Sequence, residues 1–201
     1  MGSAIAAPAS LIYRPADWLA PTPWPVIFQR EAPVEVDIGA GKGSFLLAAA
    51  RAAPERNYLG IERQMVRVRK IEAKARQRGL TNIRLVRVEA GYFLRFMVPT
   101  ESVAVYHIYC PDPWPKRRHR GRRLISPEFA ADLHRTLQPG GVVKFSTDDR
   151  DYFEAAEAVF RGSQLFCEAP STVPPAEMAT DFERMFSEQG LVIHRSQWVK
   201  R

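Results

Sequence analysis

A short strand, a turn built on alternating glycines and a following helix constrain the fold of this chain more than any other feature. The strand spans Val34–Ile38, and the helix begins near Ser44. Glycine is required where a backbone turns tightly or approaches another group closely. Gly39, Gly41 and Gly43 therefore predict a tight turn suited to a bound ligand, and the same spacing also occurs in turns that bind nothing.

Strands and helices continue to alternate along the rest of the chain. Helices are predicted from Gln64 to Arg78 and from start signals at Ser126, Asp148 and Thr180. The alternation predicts an α/β fold with a mostly parallel sheet of about seven strands, helices on both faces and an antiparallel last strand. The predicted strands after the first are Tyr58–Ile61, Ile83–Val88, Ser102–Tyr109, Val142–Thr147, Leu165–Cys167 and Leu191–Val199.

The order of the strands follows from the handedness of the connections. Right-handed crossovers place strands one to three in one direction from the centre of the sheet. Strand four then begins on the other side of strand one, and ligands bind in such sheets where the loops after these two strands separate. The glycine turn after strand one and Asp112 after strand four are therefore predicted to share one crevice.

Glu62 ends the second predicted strand, 23 residues after Gly39. An acid at about this distance from a glycine turn accepts hydrogen bonds from both ribose hydroxyls of a nucleoside cofactor. The simpler interpretation is that Glu62 complements the N-terminus of the helix that follows it. The turn and the acid together favour a nucleoside-cofactor site.

The segment from Pro111 to Arg123 follows strand four and combines rigidity with positive charge. Prolines flank Asp112 and Trp114, which excludes a regular helix or a central strand and makes the loop stiff. A solvated basic loop would not need such rigidity, so a rigid acid beside a cationic patch predicts chemistry performed on a polyanion. The six cations that nearly account for the net charge of +7 are Lys116, Arg117, Arg118, Arg120, Arg122 and Arg123.

Charge and composition restrict the partners and the organisation of the chain. A net charge of +7 and an isoelectric point near 9.7 suggest nucleic acid or an anionic membrane surface as partner. No apolar run approaches the roughly 20 residues that a membrane span needs, and no His, Cys or carboxylate cluster has metal-ligand spacing. Pro21, Pro23 and Pro25 interrupt any regular element near the N-terminus. We expect a cytoplasmic protein without membrane or metal partners, with an irregular arm over residues 1–30 and a single domain over residues 31–201.

From Val34 to its C-terminus the chain resembles the tRNA (guanine-N7)-methyltransferases, a bacterial-type family of enzymes that use S-adenosylmethionine. Several segments carry the resemblance, and the one that begins at Pro111 is by far the most specific. They are Asp37–Gly43, Gly60–Glu62, Pro111–Lys116 with the His-Arg cluster after it, Ser146–Asp148 and Thr180–Glu183.

The resemblance implies a Rossmann-like class I methyltransferase fold, S-adenosylmethionine as cofactor and tRNA as partner, in a monomer or a homodimer. It also implies methylation at N7 of a guanine in the variable loop of tRNA, with Asp112 as the carboxylate of the catalytic site and as a contact to the cofactor. The other implied cofactor residues are Asp37, Gly39, Gly41, Gly43, Glu62, Glu89 and Ala90. The implied contacts to the target nucleoside or tRNA are Lys116, Arg118, Arg120, Arg122, Arg123, Asp148, Thr180, Asp181, Phe182 and Glu183.

Two acids depart from the pattern of the family. Asp37 stands where the family has Glu, and Glu89 stands where it has Asp. Each exchange keeps the negative charge and changes the side chain by one methylene group. The departures therefore alter the geometry of the expected contacts but not the charge of the side chains that make them.

Methylation of guanine N7 needs no general base, because N7 is a neutral nucleophile with a free lone pair. The protein must align N7 for direct in-line attack on the sulfonium methyl group, and such positioning supplies roughly 7–11 kcal/mol of barrier lowering. Asp112 would orient the base through donor groups or place negative charge near the developing cation. Trp114 would stack on an exposed base or pack the loop onto the core. The residues leave both pairs of alternatives open.

Three other functions compete with this interpretation. A nicotinamide-dependent oxidoreductase would need Gly-x-Gly-x-x-Gly, but Ser44 occupies the third glycine position. A non-catalytic RNA-binding protein on the same scaffold would account for the arginines but not for the acids at the strand ends, which repel phosphate. A methyltransferase for another RNA or a small substrate is opposed only by the segments Pro111–Arg123 and Thr180–Glu183.

Overall fold

A computed structural model describes residues 10–201 of the chain, which form seven strands and seven α-helices. The strands are β1 Val34–Ile38, β2 Asn57–Ile61, β3 Ile83–Val86, β4 Val103–Tyr109, β5 Leu137–Thr147, β6 Phe166–Ala169 and β7 His194–Lys200. The helices are α1 Trp24–Phe28, α2 Ser44–Ala52, α3 Met65–Gln77, α4 Ala90–Met97, α5 Pro127–Thr136, α6 Arg150–Ser163 and α7 Asp181–Glu188. Short 3-10 turns cover Arg117–Arg122 and Ala176–Met178.

All seven strands join one sheet in the order β3-β2-β1-β4-β5-β7-β6. β7 runs antiparallel to both of its neighbours, and the other neighbouring strands are parallel. The predicted α/β class, the antiparallel last strand and the placement of strand four beside strand one are confirmed. The chain therefore changes direction across the sheet between β1 and β4, and the loops after these strands border a crevice at their carboxyl ends.

Helices cover both faces of the sheet. One apolar cluster packs α4, α5 and α6 against it, and a second packs α2 and α3. β1, β2 and β3 are buried along their whole length, as expected for parallel strands covered on both faces. Gly60 in β2 allows close packing, because a Cβ there would lie 2.6 Å from Leu46 Cδ2 in α2. Because Gly60 has no side chain, α2 can lie directly against β2, which sets the position of the glycine turn before α2.

The N-terminal segment contains more regular structure than the irregular arm predicted for residues 1–30. α1 forms because Pro25 occupies the first helical turn, where a missing N–H leaves no hydrogen bond unmade. Trp24 in α1 donates from Nε1 to Ser102 O at 3.0 Å. Further upstream, Leu85 N donates to Leu11 O at 2.9 Å, so the segment covers the free edge of β3. Residues 1–9 of the predicted arm lie outside the described residues.

The sequence prediction contained no counterpart of α4. Glu89 caps this helix, and its carboxylate accepts hydrogen bonds from Gly91 N at 3.0 Å and Tyr92 N at 2.8 Å. Glycine and aromatic residues have low helix propensity, which hides the helix in the sequence. Burial of Phe93 and Leu94 stabilises it instead.

Several strand boundaries also differ from the prediction, most by one or two residues. β3 ends at Val86 rather than Val88, because the chain turns there toward α4. β5 begins at Leu137, which pairs with Val103 ahead of a register shift in the ladder. β7 begins at His194 rather than Leu191. Within residues 10–201, no helix has the length and apolar character needed to cross a membrane.

Candidate active site

A cleft of about 1370 Å³ opens at the carboxyl ends of β1, β2 and β4. This is the crevice that the strand order predicts as a ligand site. The predicted site residues that line it are Asp37, Gly39, Gly41, Glu62, Glu89, Ala90, Asp112, Arg122, Arg123, Thr180, Asp181 and Phe182. The predicted site residues outside its lining are Gly43, Lys116, Arg118, Arg120, Asp148 and Glu183.

The glycine turn presents bare backbone to this cleft. Gly39, Gly41 and Gly43 have φ values of 80°, 57° and 80°, in the left-handed region that favours glycine. A Cβ at Gly39 would meet nothing within 4 Å, and one at Gly41 would meet only the Gly39 carbonyl oxygen at 3.7 Å. At Gly43 the Cβ would lie 2.7 Å from Ile71 Cγ1. The first two glycines therefore border open space, whereas Gly43 allows α2 to pack against α3.

Glu62 joins the glycine turn to the start of α3. Its carboxylate, which is 6% exposed, accepts hydrogen bonds from Gly41 N at 3.0 Å and from Gln64 N at 2.8 Å. Arg67 Nη1 lies 3.5 Å from the same carboxylate. An ionised carboxylate has about four acceptor positions, so Glu62 retains capacity for ligand hydroxyls. Glu62 therefore accepts a hydrogen bond at the start of α3 and can still accept one from a ligand.

Asp37 is a buried acid at the base of the cleft. Asp37 is 4% exposed, and no described side chain or backbone group donates a hydrogen bond to its carboxylate. Burial, reinforced by the negative charges of Glu62 and Glu183, raises the pKa of Asp37 to about 7. A cationic ligand group would favour the ionised form of this carboxyl group, so the position is complementary to positive charge.

Asp112 is exposed on the loop that leaves β4, and its side chain lines the cleft. Cys110 and Trp114 on either side of it have positive φ values of 48° and 44°, which are uncommon for residues other than glycine. The loop is also fixed at its start, where Cys110 N donates to Ser146 O in β5 at 2.8 Å. Rigid backbone on both sides therefore sets the position of this carboxylate.

Trp114 packs on an arginine and a histidine of its own loop. Arg122 Cζ lies 5.0 Å from the centre of a Trp114 ring, and the His119 ring meets the indole edge to face at 5.8 Å. The half-buried indole also lines the cleft. Trp114 thus joins the acid-bearing part of the loop to its basic part.

The structure places Arg123 differently from the contact to tRNA that the resemblance implies. Its side chain is 6% exposed, with Nη2 at 2.7 Å from Asp151 Oδ2. Its Nε donates to Pro113 O at 2.9 Å, and its guanidinium lies 4.8 Å from the Tyr152 ring centre. These contacts commit Arg123 to holding the Pro111 loop against the start of α6, which leaves no exposed charge for a phosphate.

The remaining predicted cations of this segment lie at the surface. Arg120 pairs with Asp151 at 2.9 Å, and both side chains are about half exposed. Lys116, Arg118 and Arg122 are exposed and form no ion pair with an acid among residues 10–201. They supply an uncompensated positive rim beside Asp112.

The start of α7 forms part of the cleft wall and is fixed by a capping box. Thr180 Oγ1 accepts from Glu183 N, and Glu183 Oε2 accepts from Thr180 N, both at 3.0 Å. The other Glu183 oxygen accepts from Ser146 Oγ at 3.1 Å and from Arg195 Nη2 at 3.0 Å. Thr180 and Glu183 therefore fix α7 on β5 and β7, and Glu183 is too buried to contact a large substrate directly.

Asp181 and Phe182 complete that wall. Asp181 Oδ2 accepts from Ser44 Oγ at 2.7 Å, which joins the starts of α7 and α2. Phe182 is 47% exposed and lines the cleft.

Asp148 is half-buried after β5. Burial and the charges of Glu183 and Asp148 raise the pKa of the Cys110 thiol to about 12, so this thiol is not a nucleophile at neutral pH.

Sequence reasoning missed a buried hydrogen-bonded chain that ends in the cleft wall. His107 Nε2 lies 2.7 Å from Glu35 Oε2, and His107 Nδ1 lies 2.9 Å from Tyr109 Oη. Burial lowers the pKa of His107, and the contact with Glu35 opposes this effect. His107 and Tyr109 lie two residues apart on the same face of β4, and the register of β1 with β4 brings Glu35 to them.

The groups around the cleft fit the S-adenosylmethionine that the resemblance implies. The bare backbone at Gly39 and Gly41 allows close approach of a ligand. Glu62 retains acceptor capacity for a ligand hydroxyl, and the uncompensated Asp37 suits a positively charged group. Among residues 10–201, no group of three or more His, Cys, Asp or Glu side chains is placed to hold a metal ion.

Comparisons with known proteins show which family the chain is similar to. A family model described as "Putative methyltransferase" matches residues 31–196. The chain is 39% identical over 180 residues to a tRNA (guanine-N(7)-)-methyltransferase of Syntrophotalea carbinolica, covering 87% of this chain and 77% of the relative. It is 40% identical over 168 residues to the protein of the same name from Nitrosococcus oceani, covering 82% of this chain and 70% of the relative.

Solved structures show the same fold at much lower sequence identity. The 16S rRNA methyltransferase KamB superposes with a TM-score of 0.67 at 18% identity, over 88% of this chain and 92% of that chain. The aminoglycoside resistance methyltransferase NpmB1 superposes with a TM-score of 0.60 at 15% identity, over 87% and 90% of the two chains. These likenesses place the chain among the class I methyltransferase folds.

Proposed function

This chain belongs to the family of tRNA (guanine-N(7)-)-methyltransferases, and we propose that it methylates N7 of a guanine in the variable loop of tRNA, with S-adenosylmethionine as methyl donor. One observation carries the proposal: a rigid exposed acid, a bare glycine turn and buried acids converge on one cleft whose rim is cationic. Asp112, Gly41 and Glu62 come from three separate loops of the sheet edge.

The cofactor end of the cleft lies on the β1 and β2 side. Glu62 accepts hydrogen bonds from the ribose hydroxyls, and the backbone of Gly39 and Gly41 contacts the cofactor closely. Asp37 faces its positive charge. Glu89 and Ala90, which follow β3, close the far end. The uncompensated burial of Asp37 and the spare acceptor positions of Glu62 support these assignments.

S-adenosylmethionine supplies an electrophilic methyl group on a sulfonium centre. Guanine N7 carries no proton, so no residue of the chain has to act as a base for direct in-line attack. Asp112 contributes by position or by charge: its carboxylate orients the base through the donor groups of guanine, or stabilises the positive charge that develops on the ring. The fixed backbone around Asp112 supports either role.

The tRNA lies against the opposite side of the cleft. Lys116, Arg118 and Arg122 contact phosphates, which explains why cations without acidic partners cluster there. Trp114 and Phe182 both offer aromatic surface within the cleft, and stacking on such rings favours an unstacked base.

Incubation with methyl-labelled S-adenosylmethionine and unmodified tRNA, followed by analysis of the nucleosides, tests the proposal. We expect the label in 7-methylguanosine. Label in a different nucleoside would assign the chain to another target. Tight tRNA binding without any incorporated label would instead support a non-catalytic RNA-binding protein.

A further inference from the structure

We infer that α3 carries a second tRNA-binding surface, separate from the Pro111 loop, which holds the body of the tRNA while the target guanine enters the cleft. This inference rests on the proposed function. The surface is a row of four cations on one side of the helix, which we name the α3 stripe: Arg67, Lys70, Lys74 and Arg78.

The spacing of the stripe places its side chains in one line. Its members follow one another at intervals of three or four residues, so each lies one helical turn beyond the last. At 1.5 Å per residue the stripe extends roughly 17 Å along the helix. The buried side of α3 is formed by Val68, Ile71 and Ala75, so the stripe lies to one side of the core-facing surface.

The two sides of α3 have different surroundings. On the side away from the stripe, Glu72 accepts hydrogen bonds from Ser10 Oγ and Leu11 N, both at 2.8 Å, and pairs with Arg76 at 3.7 Å. The N-terminal segment therefore covers that side. Lys70 and Lys74 are exposed, and neither forms an ion pair with an acid among residues 10–201.

The stripe continues directly into the cleft. Arg67 lines the cleft and lies 3.5 Å from Glu62, and Lys42 of the glycine turn lines it as well. Lys74 Nζ donates to the Lys42 carbonyl oxygen at 3.4 Å. Positive charge thus runs from the cleft along α3, which follows β2, whereas the Pro111 loop follows β4 on the other side of β1.

The composition of this helix indicates a polyanionic partner. Residues 63–79 contain seven basic side chains and one acid, Glu72. Like charges four residues apart, such as Lys70 and Lys74, destabilise a helix. A phosphate backbone relieves this repulsion, and a second contact region beside the cleft fixes the direction in which tRNA enters it.

The test compares two double variants that remove the same charge from opposite sides of α3. Lys70→Gln with Lys74→Gln removes two cations of the stripe. Arg69→Gln with Arg76→Gln is the matched control on the side that bears Glu72. For each protein, tRNA affinity is measured over a range of salt concentrations, and thermal unfolding and S-adenosylmethionine affinity check the fold.

We expect the stripe variant to reduce the slope of log affinity against log salt by about 1.5, which corresponds to two lost phosphate contacts. The control variant keeps the wild-type slope, and both variants keep wild-type cofactor affinity. Equal slopes in the stripe variant and the wild type, or equal losses in both variants, would overturn the inference.

Two further outcomes separate this inference from its premise. Loss of binding to anionic phospholipid vesicles in the stripe variant, with an unchanged tRNA slope, would assign the stripe to a membrane surface and overturn the inference. If the wild type forms 7-methylguanosine while the stripe variant keeps its slope, only this inference fails. If the wild type methylates no tRNA, the proposed function itself fails.

Discussion

The cleft contains two aspartates, Asp37 and Asp112, whose carboxyl groups differ in burial. Asp37 is 4% exposed and lacks a hydrogen-bond donor among the described residues. Asp112 is exposed and held by a stiff backbone. The first is therefore expected to respond to pH and to charged ligands through its protonation, whereas we propose that the second contributes through its position and charge at the reaction centre.

The raised pKa of Asp37 predicts a pH-dependent effect of Asp37→Asn on stability. The group has a pKa of about 7 in the folded protein and its ordinary value of 3.8 in the unfolded chain. The folded state therefore holds a proton that the unfolded state loses, and the free energy of unfolding decreases as pH rises from about 4 to about 7. Asparagine does not titrate, so Asp37→Asn should remove this decrease in the free energy of unfolding.

Chemical denaturation of both proteins without cofactor at pH 5 and pH 8 measures the effect. The stability of Asp37→Asn relative to the wild type should be higher at pH 8 than at pH 5 by about 3 kcal/mol. A gain that is the same at both pH values would show that the buried carboxyl group does not titrate in this range.

Asp112 is predicted to support the reaction without accepting a proton. If its charge stabilises the methylated ring, Asp112→Asn and Asp112→Ala should both lose about 100-fold in rate, or about 2.7 kcal/mol. If it orients the base, the Asn variant should keep much more activity than the Ala variant. Single-turnover methylation with saturating tRNA distinguishes the two roles, and near wild-type activity of Asp112→Ala would exclude both.

At the scale of elements, the Pro111 loop is predicted to depend on one arginine. Arg123 is nearly buried and holds both Pro113 O and Asp151. Arg123→Gln should lower the free energy of unfolding by about 1–3 kcal/mol, because it leaves polar partners unsatisfied. Arg120→Gln is the control, since its half-exposed pair with Asp151 is screened by solvent and contributes little to stability. Urea denaturation that finds equal losses for the two variants would contradict the anchoring role.

The same loop shows where sequence reasoning reaches its limit. The prolines, the strand before them and the crossover rule suffice to place Asp112 beside the glycine turn. They cannot separate Arg123 from Arg122, because only the position of Asp151 on α6 makes one a buried anchor and leaves the other exposed. The sequence also hides α4, since packing of Phe93 and Leu94 outweighs the low helix propensity of its residues.

At the scale of the whole molecule, acidic and basic side chains occupy different regions around the cleft. Acids occupy the base of the cleft, whereas cations occupy the Pro111 loop and α3 on either side of it. The net charge of +7 predicts a polyanionic partner from the sequence alone. The raised pKa of Asp37 could not be predicted, because Glu62 and Glu183 approach it only in the folded sheet.

Methylation of a matched pair of tRNA transcripts tests the central claim most directly. One transcript contains guanosine, and the other contains 7-deazaguanosine, in which a C–H group replaces the nucleophilic N7. With methyl-labelled S-adenosylmethionine, we expect label in the guanosine transcript and none in the 7-deaza transcript, although both compete equally for binding. Equal labelling of the two transcripts would contradict the account, because the methyl group would then be transferred to an atom other than N7.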